Sequence, residues 1–295
     1  MTHPSPIERR TFGTTGEQLS ALGFGGVLVT NTPTRLATEY VAEAFDRGIT
    51  YFDVAPFYGN AQERLGPALA PYRERCFLAC KTLERTAEGL NRELEESLRV
   101  LRTDRLDLYQ LHALRDVAAD VEAVFAPGGA MEAAVRAREQ GKVRYIGFSA
   151  HSEAAAHAAM DRFSFDSVLF PFNYFTWTRG NFGPSVLRRA REKGMAVLAL
   201  KSLAHRRWTD AEQRRSFRPW PKCWYRPLEE KPLIELALRF TLGLGVDAAV
   251  PPGHWELFRT CLEIAEAGGL SPVRAAELEP LRELAGEGSP LFEAV

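Results

Sequence analysis

The sequence predicts an α/β protein of the (β/α)8 TIM barrel class, and three observations lead to this prediction. Short apolar segments alternate with longer segments of helical period, as in a parallel sheet with crossover helices. Eight such pairs fit within the 295 residues, which suits a barrel better than a doubly wound sheet. No GxGxxG motif follows the first strand, because Gly23, Gly25 and Gly26 lack that spacing.

Each predicted strand is a short apolar segment that precedes a helical stretch. The eight segments are residues 21–25, 50–53, 76–81, 106–112, 143–149, 167–172, 196–200 and 247–250. The helix after the third strand carries apolar residues at helical spacing, with charged residues between them. These residues are Leu90, Leu94, Leu98 and Leu101. Gly48, Gly141 and Gly194 each stand between a helix and a strand, where a left-handed residue closes the helix.

The segments outside the eight units are predicted to complete a single domain over residues 1–295. Residues 5–20 place two glycine-containing turns between β-prone pieces, which predicts a short N-terminal hairpin that caps the barrel bottom. The residues after the eighth unit form a C-terminal extension. The first residues lack the apolar core of about 7–15 residues that a secretory signal requires, so the chain is expected to be cytoplasmic.

Composition excludes several classes of function. A net charge of −1 is not that of a surface built for nucleic acid, and no apolar run approaches the roughly 20 residues of a membrane span. We therefore expect neither a nucleic-acid partner nor a membrane partner. The four cysteines show no metal-ligand spacing, so reduced thiols and no metal are expected. They are Cys76, Cys80, Cys223 and Cys261.

One basic stretch, residues 205–227, interrupts the alternation after the seventh strand. It holds seven basic and two acidic side chains, interleaved with Trp208, Trp220 and Trp224. Three interpretations stay open: a solvated loop with tryptophans packed on the barrel rim, a site for phosphate or an acidic substrate, and a single-strand nucleic-acid surface.

Four polar residues stand at or just beyond predicted strand ends, where a barrel places its active site. They are Asp53, Tyr58, Lys81 and His112. A buried lysine needs a carboxylate to neutralise it, and Asp53 lies on the neighbouring strand. Lys81 beside Tyr58 is expected to lower the pKa of the phenol, which makes Tyr58 a candidate proton donor. Taken singly, each of the four also fits a purely structural role.

Four segments together resemble the aldo-keto reductase family, in family order and spacing, and two further segments extend the likeness over nearly the whole chain. The four are TYFDVAPFYGNAQERLG, LACKT, LRTDRLDLYQLH and GKVRYIGFSA, and the two are RRTFGTTGEQLSALGFGG and VLALKSLA. The resemblance implies a barrel oxidoreductase that uses a nicotinamide cofactor. Asp53, Tyr58, Lys81 and His112 match its catalytic tetrad, in which Tyr58 protonates a small carbonyl substrate that receives a hydride.

The resemblance also implies a cofactor site, with departures from the family pattern. Ser149 matches a residue that holds the nicotinamide carboxamide, but Ala150 and Leu169 stand where the family has amides, and Leu200 replaces a stacking aromatic residue. Further cofactor-binding candidates are Asn173, Lys201, Ser202, Leu203 and Arg259. Asn173 also suits a turn or a helix cap, which is the more frequent role of asparagine at such a position. NADP(H) is favoured over NAD(H), with Arg259 as the candidate partner of the 2′-phosphate.

The resulting prediction is NAD(P)H-dependent reduction of an aldehyde or ketone. The altered carboxamide contacts leave open a nicotinamide-binding regulatory protein with little or no turnover. A lyase or isomerase that uses Lys81 and Tyr58 as base and acid, without hydride transfer, is the other alternative.

Overall fold

The computed structural model describes residues 7–213 and 219–294. Residues 5 and 6 of the predicted hairpin, and Arg214, Arg215 and Arg218 of the basic stretch, lie outside the described residues. The strands are β1 (Arg9–Thr11), β2 (Gln18–Ser20), β3 (Gly23–Gly25), β4 (Tyr51–Asp53), β5 (Phe77–Thr82), β6 (Leu106–Leu114), β7 (Val143–Ala150), β8 (Ser167–Phe170), β9 (Ala196–Leu200), β10 (Ala204–Arg207), β11 (Tyr225–Pro227) and β12 (Ala248–Val250).

Helices follow the barrel strands and cover the outside of the sheet. They are α1 (Thr34–Asp46), α2 (Ala61–Leu69), α3 (Ala87–Leu101), α4 (Ala123–Phe125), α5 (Ala130–Glu139), α6 (Glu153–Arg162), α7 (Tyr174–Thr178), α8 (Pro184–Glu192), α9 (Asp210–Gln213), α10 (Lys231–Gly243), α11 (Trp255–Glu266) and α12 (Glu279–Leu284). Short 3-10 helices span Gly26–Val29, Ala70–Arg75 and Ala275–Leu278, and a π-helical turn spans Val117–Glu122. No helix among the described residues is long and apolar enough to cross a membrane.

The predicted (β/α)8 barrel is confirmed. Eight strands pair in parallel in the order β3-β4-β5-β6-β7-β8-β9-β12. A parallel bridge between Leu22 and Ala249 joins the two ends of this sheet and closes the barrel. The strand bounds lie within a few residues of the predicted segments, since most strand residues are apolar and buried.

Two apolar layers hold the barrel together. Inward-facing side chains of alternate strand positions fill the interior, among them Phe77, Ala79, Leu108 and Leu198. The larger layer lies between the outer face of the sheet and the helices. In α3 the four predicted leucines are all buried, which confirms the helical stripe.

The predicted N-terminal hairpin is also present. Strands β1 and β2 pair antiparallel, and Phe12 of the connecting turn packs into the barrel interior 5.0 Å from the ring of Phe77. Because Phe77 lies at the N-terminal end of β5, the hairpin closes the end of the barrel opposite to the strand carboxyl ends. The barrel interior is therefore accessible from the carboxyl end of its strands.

The three glycines predicted to end helices in the left-handed conformation do so, with φ values of 98° at Gly48, 74° at Gly141 and 70° at Gly194. The helix α3 ends differently, on Arg102 at φ 56° and ψ 46°. A side chain with a Cβ is strained in this region, whereas glycine adopts it freely.

We expect Arg102→Gly to raise the free energy of unfolding by about 0.5–1 kcal/mol, because the strain relieved exceeds the added unfolded-state entropy. Urea denaturation followed by circular dichroism measures the change. Arg99→Gly, inside the same helix, is the matched control and should destabilise by about 1 kcal/mol. A loss of stability in Arg102→Gly would contradict the strain argument.

Candidate active site

The carboxyl ends of the barrel strands surround a cavity of about 860 Å³. A cavity of this size lies within the usual range for ligand-binding pockets. Its floor is formed by residues at strand ends, including Asp53, Lys81 and His112, and its rim by the loops that follow the strands. The four residues that the sequence predicts for catalysis all line it, so the structure brings them together.

Asp53 and Lys81 form a buried ion pair at the base of the cavity. Asp53 ends β4, and Lys81 lies in the adjacent strand β5 with its side chain pointing inward. The second carboxylate oxygen of Asp53 accepts hydrogen bonds from Tyr51 Oη at 3.2 Å and Gln110 Nε2 at 3.1 Å. Burial is the largest single effect and disfavours the ammonium group, but the charge of Asp53, its hydrogen bond and smaller contributions from neighbouring groups together outweigh burial and raise the pKa of Lys81 above its usual value. Lys81 is therefore held as a cation.

Tyr58 lies in the loop after β4, with its hydroxyl 3.4 Å from Lys81 Nζ. The charge of Lys81 lowers the pKa of this phenol as expected, but it is one of two opposing effects. Burial raises the pKa of Tyr58, and the opposing charge of Lys81 reduces that rise without reversing it. The prediction of a pKa below the ordinary tyrosine value is therefore wrong, and Tyr58 stays protonated throughout the neutral range.

His112 lies across the cavity from Tyr58, with the two rings edge to face and 5.9 Å apart. Burial, together with the charge of Lys81, lowers the pKa of His112 to about 3. The imidazole is consequently neutral and offers a hydrogen bond rather than a charge. The next residue, Ala113, adopts a left-handed φ of 57° and donates its backbone N–H to Ser149 Oγ at 2.8 Å. Strained backbone of this kind concentrates at functional sites.

The residues predicted to bind a cofactor fall into two groups. Ser149 and Lys201 line the cavity, next to Leu169 and Leu200. Ser202 and Leu203 are buried behind the cavity wall, and Ser202 Oγ has no hydrogen-bond partner among the described residues.

Asn173 and Arg259 lie outside the cavity lining. Asn173 is buried and caps α7 through its Oδ1, which accepts the N–H of Thr176 at 3.0 Å. The cofactor assignment of Asn173 stays a prediction, because the cap uses Oδ1 and the buried Nδ2 has no hydrogen-bond partner among the described residues. Arg259 stands on the exposed side of α11, 3.7 Å from Glu263.

The basic stretch at residues 205–227 forms part of the rim. Strands β10 and β11 pair antiparallel, and two of the seven basic side chains, Arg206 and Arg226, share the carboxylate of Glu212. Between the strands, Lys222 reaches across the cavity mouth and donates to the carbonyl of Leu28 at 2.9 Å. Trp208 is buried and donates to the Cys223 carbonyl, whereas Trp224 is half exposed at the cavity mouth.

Sequence reasoning missed two sets of residues. Tyr51 and Gln110 complete the hydrogen bonding of Asp53, and a search for polar residues two positions before Asp53 and His112 would have found them. His151 meets Lys201 at the cavity wall, at 3.1 Å between ring Nε2 and Nζ. Fifty residues separate this pair, and no local pattern predicts the contact.

Comparison with known proteins identifies the family. The family model described as the aldo/keto reductase family matches residues 21–276. The aldo-keto reductase YhdN of Bacillus subtilis is 29% identical over 216 residues, which cover 67% of this chain and 62% of that protein. L-galactose dehydrogenase of Arabidopsis thaliana is 28% identical over 158 residues, or 48% of each chain. The chain thus spans about half to two-thirds of the length of these relatives.

Solved structures share the fold. An aldo-keto reductase from Bacillus halodurans in its holo form has a TM-score of 0.72 at 23% identity, over 94% of this chain and 96% of that chain. The protein belongs to the aldo/keto reductase family.

Proposed function

We propose that the protein reduces an aldehyde or ketone to an alcohol with NAD(P)H, and that Tyr58 supplies the proton. The observation that carries the proposal is the juxtaposition of the Tyr58 hydroxyl, the Lys81–Asp53 ion pair and the neutral His112 at the base of one cavity. This arrangement supports protonation of a carbonyl oxygen at neutral pH.

The chemistry follows from the charges of the four residues. When bound, the nicotinamide supplies a hydride to the carbonyl carbon. Tyr58 donates its proton to the carbonyl oxygen, and the cationic Lys81 stabilises the resulting phenolate until solvent restores the proton. Asp53 keeps Lys81 charged and in place, while His112 donates a hydrogen bond that orients the carbonyl.

The cavity residues fit a nicotinamide nucleotide. Ser149 offers a hydroxyl at the wall, and Leu169 and Leu200 offer an apolar surface beside it. The hydroxyl of Ser202, which has no hydrogen-bond partner among residues 7–213 and 219–294, provides a further hydrogen-bonding group in the loop after β9. We assign Ser149 to the carboxamide, Ser202 and Leu203 to the phosphate-bearing part, and Arg259 to a 2′-phosphate, which favours NADP(H).

We expect Arg259→Ala to weaken NADPH binding by about 1–2 kcal/mol, near the lower end for hydrogen bonds to charged groups because the side chain is exposed. NADH affinity should not change, since it lacks the 2′-phosphate. Fluorescence titration of both nucleotides measures the difference, with Arg136→Ala on the distant α5 as control. An equal loss for both nucleotides would indicate a packing role for Arg259.

Leu169 on the cavity wall supports a second candidate function, that of a nucleotide-binding regulatory protein, because a leucine side chain cannot hydrogen-bond the nicotinamide carboxamide.

Steady-state oxidation of NADPH with a panel of aldehydes and ketones tests the proposed reaction. Carbonyl-dependent oxidation of NADPH supports reduction. Nucleotide binding without oxidation would favour the regulatory protein, and turnover without nucleotide would favour a lyase or isomerase.

A further inference from the structure

Three of the cations that line the cavity form no ion pair with any residue in the described ranges, and one of them, Lys222, donates instead to the carbonyl of Leu28. Lys81 is neutralised by Asp53, and Arg85 contacts Asp120 at 2.9 Å. Lys201 and Arg115 also line the cavity, but neither has a carboxylate within ion-pairing distance in the part of the chain described. The wall that they share therefore carries uncompensated positive charge.

Lys201 is held in position by its surroundings. Its backbone adopts a left-handed φ of 62°, which a lysine rarely does. Its Nζ donates to His151 Nε2 at 3.1 Å and lies 5.6 Å from the ring centre of Trp224 and 5.8 Å from that of Phe292. The ring of His151 stacks on Phe292 at 5.2 Å. The strain is compatible with a binding role, because strained residues persist where surrounding contacts fix them.

The electrostatic state of this pair favours an anionic ligand. Burial is the main cause that lowers the pKa of Lys201 to about 7, and the charges of Lys81 and Arg115 add to it. Burial is also the main cause that lowers the pKa of His151 to about 2, and the charges of Lys201 and Arg115 add to it. An anionic oxygen beside Lys201 Nζ would favour the ammonium form and balance the surplus charge.

The pair lies on the same side of the cavity as the proton-transfer residues. The charge of Lys201 is among the causes that lower the pKa of His112, and Arg115 follows His112 by three residues. An anion held by this pair would therefore lie on the same side of the cavity as a carbonyl that contacts His112. The exposed large apolar side chains at the mouth would contact the uncharged remainder of such a molecule. They are Phe57, Leu83 and Trp224.

We propose that Lys201, His151 and Arg115 form a carboxylate-binding subsite, and that the preferred substrates are carbonyl compounds that carry a carboxylate and an apolar body. This proposal rests on the proposed carbonyl reduction. Lys201 is accordingly assigned to the substrate rather than to the cofactor that its sequence position suggested. His151 accepts a hydrogen bond from Nζ and positions the ammonium, while Lys201 and Arg115 supply the charge.

A matched pair of aldehydes tests the subsite: 4-carboxybenzaldehyde and its methyl ester. Wild-type protein should show a kcat/KM about tenfold or more higher for the acid. Lys201→Met should lower kcat/KM for the acid by about 10–100-fold, as expected for the loss of a charged hydrogen bond, and change that for the ester less than about threefold. Lys201→Arg should retain much of the preference. Arg115→Met, at an exposed position, should give a smaller loss of the same kind.

Two controls separate the possible sources of an anion. Lys231→Met, on the exposed side of α10, should leave both substrates unaffected. NADPH affinity, measured by fluorescence titration, should be the same in wild type and Lys201→Met. Weaker NADPH binding together with equal losses for acid and ester would mean that Lys201 binds a nucleotide phosphate, and would overturn the subsite.

Direct binding distinguishes failure of the subsite from failure of the proposed reaction. Benzoate should quench tryptophan fluorescence with a dissociation constant at least tenfold lower in wild type than in Lys201→Met, whereas benzamide should not distinguish the two. If no aldehyde is reduced but benzoate still binds through Lys201, the subsite stands and carbonyl reduction fails. If reduction occurs but neither aldehyde nor benzoate distinguishes the variants, the subsite is wrong.

Discussion

Replacing Tyr58 by phenylalanine is expected to lower kcat by about 10²–10⁴, the range for loss of a positioned general acid. Its hydroxyl is 3.4 Å from Lys81 Nζ and faces the cavity, and no other phenol in the described part of the chain hydrogen-bonds that ammonium. Nucleotide affinity should change little, because the hydroxyl is assigned to the carbonyl oxygen. Steady-state kinetics and fluorescence titration on the same preparation measure both quantities.

Tyr72→Phe provides the matched control, since Tyr72 stacks on Phe45 far from the cavity. Its kinetics should equal those of the wild type. If Tyr58→Phe reduced the carbonyl substrate at the wild-type rate, the assignment of the proton donor would be wrong.

Lys81→Met is expected to abolish most of the activity and to destabilise the fold. The substitution leaves Asp53 buried with only Tyr51 and Gln110 as hydrogen-bond donors. Removing one partner of a buried ion pair costs about 3–5 kcal/mol. The phenolate of Tyr58 also loses its stabilising cation, so kcat should fall by about 10²–10⁴.

The double variant Asp53→Asn with Lys81→Met separates the two effects. It removes both buried charges, so the free energy of unfolding should return to within about 2 kcal/mol of the wild type. Activity should stay low, because no cation lies beside Tyr58. A double variant that regained activity along with stability would show that Lys81 acts only through the fold.

The barrel could be predicted from the sequence because each strand and helix is encoded by a periodic pattern within its own short segment. Period-two alternation places Lys81 and His112 on the inner face of their strands, and helical periodicity places Leu90 and Leu94 against the sheet. The positions of the catalytic candidates followed from that alternation, since parallel strands bring their carboxyl ends to one rim.

Features that depend on burial or on distant contacts were not predictable. The sign of the pKa change at Tyr58 depends on how deeply the loop after β4 lies in the cavity. The contact between Lys201 and His151 joins two loops fifty residues apart, and the hairpin of β10 and β11 is a rim feature without strong alternation. Asn173 fitted both a helix cap and a cofactor contact by its local sequence, and the structure shows the cap through Oδ1.

Single-turnover reduction of an aldehyde with NADPH that carries deuterium at the hydride-donating carbon tests the proposed function most directly. We predict that one nucleotide is oxidised for each alcohol formed. The deuterium should appear on the former carbonyl carbon, and the reaction should slow by about 10²–10⁴ in Tyr58→Phe. Nucleotide binding without oxidation, or an alcohol without deuterium at that carbon, would contradict hydride transfer in this cavity.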